Sequence, residues 1–250
     1  MARGGATVRL ATAAQRVRDA MIADKLARVH ERIASACAGA GRPVESVTLL
    51  VVSKTFPATD VREAFAAGER RFGENYVQEG LDKIEALADL RARLEWHLIG
   101  PLQSNKTRVV AEHFDWVHSI DRLKTAERLS AQRPPHLPPL SVCLQVNISG
   151  EASKAGLQPD DVAEVARAVA GLPRLALRGL MAIPEPAADR DAQRRPRRAL
   201  RELLESLKGD GLALDTLSMG MSGDLEAAIE EGATVVRIGS AIFGERPRPA

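Results

Sequence analysis

Cysteine is almost missing from this chain. Only Cys37 and Cys143 occur among 250 residues, with no CxxC pair, which argues against a disulfide scaffold and suits a reducing cytoplasm. No apolar run approaches the roughly 18 residues of a membrane span, and the N-terminal arginines precede no continuous apolar stretch, so neither a membrane helix nor an export signal is expected. Charge of one sign is not in excess either. A formal net charge of +2 gives no footing for a nucleic-acid partner, and the basic run Arg194-Arg195-Pro196-Arg197-Arg198 with Arg201 reads as a solvated helix start. The GxGxxG and GxxxxGK patterns are absent, which leaves a nucleotide-binding reading unsupported. His97, His113 and His118 match no common zinc spacing, so packed histidines are expected rather than a metal.

What is present is a globular composition, 45% hydrophobic and 27% charged, in a strict alternation of short apolar runs with amphipathic segments. The opening segment, about Ala11 to Ala38, is helical, with Val17, Met21, Leu26, Val29 and Ile33 expected on one face. Eight strand candidates follow: Val47 to Ser53, Arg71 to Gly73, Glu95 to Ile99, Asp115 to Ile120, Leu140 to Asn147, Ala176 to Ile183, Asp215 to Met219 and Thr234 to Gly239. Eight strands with helical connections spell a single (β/α)8 TIM-type barrel with an extra N-terminal helix. Asp60, Ser104 and Asp121 are read as helix starts. Arg133 to Pro139 reads as a rigid connector, and Ile183 to Pro196 as a lid with few packing anchors. Residues 1–10 are expected to be a loose extension and residues 11–250 one domain.

In such a barrel the site lies where strands end and helices begin. The run Leu49-Leu50-Val51-Val52-Ser53 ends in Lys54, just before Thr55-Phe56-Pro57, and a lysine there is either a surface residue or a nucleophile. After the seventh and eighth strands, Gly220-Met221-Ser222-Gly223 and Gly239-Ser240 offer small residues and backbone N–H groups at helix starts, the usual phosphate position of this fold. A lysine facing a phosphate site can neutralise it or attack a carbonyl. A phosphorylated aldehyde satisfies both halves, and pyridoxal 5′-phosphate (PLP) is such a molecule. Arg237, inside the last strand, could donate to the pyridine nitrogen but could not accept its proton.

The words Val51-Val52-Ser53-Lys54-Thr55, Phe72-Gly73-Glu74-Asn75-Tyr76-Val77-Gln78-Glu79, Trp96-His97-Leu98-Ile99-Gly100-Pro101-Leu102-Gln103-Ser104-Asn105-Lys106, Arg178-Gly179-Leu180-Met181-Ala182-Ile183-Pro184, Leu217-Ser218-Met219-Gly220-Met221-Ser222 and Val236 to Gly244 together resemble the pyridoxal phosphate homeostasis proteins, also called YggS-like or PROSC proteins. The resemblance implies the alanine racemase N-terminal-like barrel, PLP fold type III. It implies a Schiff base on Lys54, Arg237 at the pyridine nitrogen, Ser222, Gly239 and Ser240 at the phosphate, and Asn75 and Met221 along the ring. It also implies a monomeric carrier that buffers PLP or delivers it to apo-enzymes and influences amino-acid balance, without an established turnover. Phe56 stands where the family often has a lysine.

The competing reading is a PLP-dependent amino-acid racemase or a related fold-type III enzyme such as a decarboxylase. Racemisation needs a second base, which in the related racemases is a tyrosine from an additional domain; the sole tyrosine is Tyr76, and none follows it before Ala250. Tyr76 is expected to be a pocket wall. Lys106 is left between a surface charge and a phosphate attractor, Cys143 is read as a core residue, and Asp224 and Glu226 as complements to a helix dipole.

Overall fold

A computed structural model describes residues 13–149, 155–185, 187 and 189–244, with side chains from residue 21 onward. The expected extension at residues 1–10 lies outside the described residues. Helix α1 (Ala13–Gly39) buries Ile22, Leu26, Val29, Ile33 and Cys37, spaced three or four apart on one face. Met21, expected on that face, is 50% exposed, because it sits about 100° around the helix from Ile22. The buried face packs against the outer helices that flank the first and last strands.

The strands are β1 (Thr48–Val52), β2 (Arg71–Glu74), β3 (Glu95–Leu98), β4 (Trp116–Ile120), β5 (Leu140–Gln145), β6 (Leu175–Met181), β7 (Thr216–Ser218) and β8 (Val235–Ile238), all paired in parallel and in sequence order. Between them run α2 (Ala58–Ala66), α3 (Val77–Ala86), α4 (Thr107–His113), α5 (Leu123–Gln132), α6 (Val162–Ala170), α7 (Arg190–Gly209) and α8 (Leu225–Glu230), and α9 (Ser240–Phe243) follows β8. Closure comes from β8 pairing with β1, with Leu50 in register with Arg237. The eight-stranded parallel barrel expected from the alternation is therefore the fold, with each strand within one or two residues of its expected limits.

Strand parity divides the side chains into two layers. Leu49 and Val51 point outward into the large core beneath the helices, where Phe72, Trp96, Leu98, Val117, Leu144, Val236 and Ile238 also lie. Burying each such side chain contributes about 1.5–3 kcal/mol. Leu50, Val52, Ile99 and Val235 form a separate small cluster inside the barrel. The alternate positions of β3, β4, β7 and β8 point inward as well, so His97, His118, Ser218 and Arg237 share one interior.

Several expected local features differ. Helix α2 begins at Ala58 after Pro57, so Asp60 lies in its first turn, because proline fits just before a helix where no N–H is required. Ser104 opens a short 3-10 turn, Ser104–Lys106, and α4 starts only at Thr107. The lid is shorter than expected: α7 begins at Arg190, and the Asp189 carboxylate accepts the Ala192 N–H at 2.8 Å. Residues 186 and 188 of that segment lie outside the described residues. The basic run is only partly solvated, since Arg197 is buried against Asp224 while Arg194, Arg198 and Arg201 converge on buried Glu231. The Arg133 to Pro139 connector has no helix or strand, as expected, and the Arg133 guanidinium is bonded to the carbonyls of Ala111, Phe114 and Pro138. No helix among the described residues is long and apolar enough to cross a membrane.

Candidate functional site

Lys54 sits in a tight turn directly after β1. The Phe56 N–H donates to the Ser53 carbonyl at 3.0 Å and closes that turn, while Thr55 adopts φ 68°. A β-branched residue at positive φ is disfavoured, so neighbouring groups must hold it. They come from β2 and α3. Glu79 accepts the Thr55 N–H, and Lys83 donates to the Ser53 carbonyl, to Glu74 and to Glu79, each at 2.7 Å. The Ser53 hydroxyl adds a bond of 2.6 Å to Glu74. Burial pushes the Glu74 carboxyl up to about 7, with the Lys83 and Ser53 contacts opposing the rise.

All seven residues expected at the site, Lys54, Asn75, Met221, Ser222, Arg237, Gly239 and Ser240, line one pocket of about 370 Å3 at the C-terminal ends of the strands. Val52, Phe56, Ile99 and Ile183 supply its apolar walls. The Ser222 and Ser240 hydroxyl oxygens lie 3.2 Å apart, so the turns after β7 and β8 form a single polar end. The helices behind them, α8 and α9, are only six and four residues long. Asp224 stands at the N-terminal end of α8 with Glu226 in the first turn, as expected, and its side chain does not cap the helix. It accepts the Met221 N–H and pairs with Arg197, which fixes the turn carrying Ser222.

Arg237 is held by Ser218 and Ala182: its guanidinium donates to the Ser218 carbonyl at 2.6 Å, the Ser218 hydroxyl at 2.8 Å and the Ala182 carbonyl at 2.9 Å. Burial lowers it to about 10, so it stays cationic at neutral pH. Asn75 is placed by Gly100, where a Cβ would come within 2.1 Å of the Asn75 carbonyl oxygen. Phe56 stacks on Phe243 with centroids 4.9 Å apart, which ties the Lys54 turn to α9.

Other expectations fare differently. Tyr76 is 61% exposed and outside the pocket lining, and Lys106 does not line it either. His97 and His118 are buried, and among the described residues no cluster of candidate metal ligands occurs. Cys143 is a core residue whose thiol burial pushes up to about 12. Sequence reading missed the Lys83–Glu74–Glu79 clamp. The spacing of Glu79 and Lys83, four apart on α3, was the available signal, since such pairs share a helix face.

The model of the alanine racemase N-terminal domain family matches residues 11–247. The pyridoxal phosphate homeostasis protein of Pseudomonas aeruginosa is 64% identical over 225 residues, covering 90% of this chain and 96% of that protein. The chain belongs to the pyridoxal phosphate homeostasis protein family. Among solved structures, PipY of Synechococcus elongatus with PLP bound superposes with a TM-score of 0.78 at 38% identity, covering 89% of this chain and 100% of that one. Alanine racemase from Corynebacterium glutamicum gives 0.69 at 18% identity, with 91% of this chain matching 61% of the racemase, a likeness of fold. The match thus runs over nearly the whole length of the Pseudomonas aeruginosa protein, and PipY shares the barrel over its whole chain.

Proposed function

We propose that the pocket holds PLP on Lys54 and that the protein buffers this cofactor and delivers it to PLP-dependent apo-enzymes, with effects on amino-acid balance. The observation that carries this reading is the meeting of Lys54, Arg237, Ser222 and Ser240 in one pocket of about 370 Å3. The homeostasis name borne by relatives and the PLP in PipY support it.

The donor set fits the group. When bound, PLP supplies an aldehyde that condenses with an amine, carried on an electron-withdrawing ring. Lys54 supplies the amine, Ser222 and Ser240 offer hydroxyls for the phosphate, and Gly239 lets the backbone come close, since a Cβ there would lie 2.8 Å from the Val52 carbonyl oxygen. Arg237 would donate to the ring nitrogen and holds no bare nitrogen lone pair to take a proton from it. Asn75, Met221, Ile99 and Phe56 line the pocket where they would wall the ring and exclude water.

A carrier role without turnover is supported by the position of Tyr76, which points to solvent and offers no second base inside the pocket. The protein is proposed to work as a cytoplasmic monomer, with residues 11–250 as one PLP-binding unit. The test is borohydride reduction of protein incubated with PLP, followed by peptide mapping. The adduct belongs on Lys54 and should vanish in Lys54→Ala; an adduct on Lys83 or Lys106, or none, would overturn the reading. Transfer to an apo-enzyme in the presence of a trap for free PLP tests delivery, and racemisation of alanine or serine by the pure protein, lost in Lys54→Ala, would make it an enzyme.

A further inference from the structure

Arg237 is a buried cation, 5% exposed, whose three hydrogen bonds end on uncharged oxygens. A buried charge is ordinarily paired, so its balancing charge is to be sought further along those bonds. Asp224 acts on it through space as the nearest opposing charge while bonding Arg197 and the Met221 N–H, and no hydrogen bond of Arg237 reaches it. A continuous line of side chains leads elsewhere. Ser218 Oγ is 2.8 Å from His118 Nδ1, His118 Nε2 is 2.9 Å from His97 Nδ1, and His97 Nε2 is 2.8 Å from Glu95 Oε1. The line crosses the interior from β8 through β7 and β4 to β3. It ends at the first residue of β3, at the face opposite the pocket.

The two ends fix its direction. A neutral imidazole has one N–H and one bare nitrogen. Glu95 can only accept, so His97 donates through Nε2 and accepts at Nδ1 from the Nε2–H of His118. His118 Nδ1 is then bare and accepts the Ser218 hydroxyl hydrogen, and Ser218 Oγ accepts from Arg237. Every bond donates toward Glu95. Burial keeps His97 neutral although Glu95 and Asp115 pull the other way and Arg71 assists. Burial lowers His118 further, with His97 and Arg237 beside it. The Trp116 ring stacks on His97 at 5.3 Å and 10°, which fixes the imidazole plane. Glu95 is lowered despite its burial, because His97, Arg71 and Trp116 hold the carboxylate.

We infer that Glu95, His97, His118 and Ser218 are positioning residues for Arg237, forming a one-way hydrogen-bonded line that makes the guanidinium in the cofactor pocket answer to a carboxylate at the opposite face. The Glu95 side chain is 39% exposed and 3.2 Å from Arg71, so solvent reaches that end. Aligned hydrogen bonds polarise one another, so loss of the terminal charge weakens each bond up to Arg237. The consequence for a bound ring rests on the PLP reading above; the line itself does not.

Two measurements test it. In the cofactor-free protein, nitrogen NMR of the imidazoles should find His97 and His118 neutral at pH 7, each with its proton on Nε2. A protonated ring, or a proton on Nδ1 of either, overturns the line. In the loaded protein, Glu95→Gln keeps an acceptor for His97 and removes the charge. The midpoint of the pH titration of the visible band should then move by about half a unit or more, and the PLP dissociation constant should rise about threefold or more, with Glu95→Asp restoring part of both. A titration and a dissociation constant that coincide with the parent's would leave only packing and sink the inference. Should the parent protein take up no PLP, the proposed function fails, and the imidazole tautomers still decide the line.

Discussion

The Lys83 ammonium lies 2.7 Å from the carbonyl oxygen of Ser53, the peptide unit that leads into Lys54. The same lysine reaches Glu79, which holds the N–H of Thr55 on the other side. One buried cation thus grips both neighbours of the proposed cofactor lysine and holds Thr55 at its positive φ.

Lys83→Met should therefore act on stability and on the site together. Removing one partner of a buried ion pair leaves Glu74 without its cation and costs on the order of 3 kcal/mol, to be read by urea denaturation. Formation of the Lys54 adduct should slow as Thr55 relaxes. Unchanged rates in a destabilised variant would confine Lys83 to folding.

Glu74 predicts an unusual pH dependence. Its carboxyl is held at about 7 when folded, above the 4.5 it has when free. The folded protein therefore binds a proton that the unfolded chain has lost between those values. The associated stability is fully present below pH 4.5, falls as pH rises toward 7 and levels off above, a total on the order of 3 kcal/mol. Glu74→Gln should remove this slope from the difference between denaturation free energies at pH 5 and pH 8; a parallel pH profile in the variant would contradict it.

Phe56→Ala removes a ring that stacks on Phe243 and lines the pocket. A loss of about 2–4 kcal/mol is expected from the cavity, together with weaker PLP retention in dialysis. Retention equal to the parent's would show that this wall does not hold the ring.

Gly100→Ala would place a methyl group 2.1 Å from the Asn75 carbonyl oxygen, and backbone cannot give way as a side chain can. Destabilisation of about 1–3 kcal/mol is expected, with PLP retention weakened more than in a variant of the exposed Asn105, measured side by side.

Much of the site was legible because its parts are local. Lys54, Asn75, Ser222 and Ser240 each follow an apolar run, and in a parallel barrel every such exit faces the same end. The Lys83 clamp was not legible, because Lys83 reads as one more cation on a polar helix until α3 is laid against the β1 turn. Nor was the line from Arg237 to Glu95. His97 and His118 were expected to be packed, but their partners lie on strands up to 100 residues apart.

The sequence by itself determined the architecture, since eight apolar runs separated by amphipathic segments can bury their surfaces most simply in a parallel barrel, and it determined which residues stand at the strand ends. Only the tertiary structure decided how those residues are held. Closure of the barrel by β8 on β1 brings Leu50 into register with Arg237 and points that arginine inward. Which distant groups then share the interior depends on register and parity around the whole barrel, and no single segment carries that information.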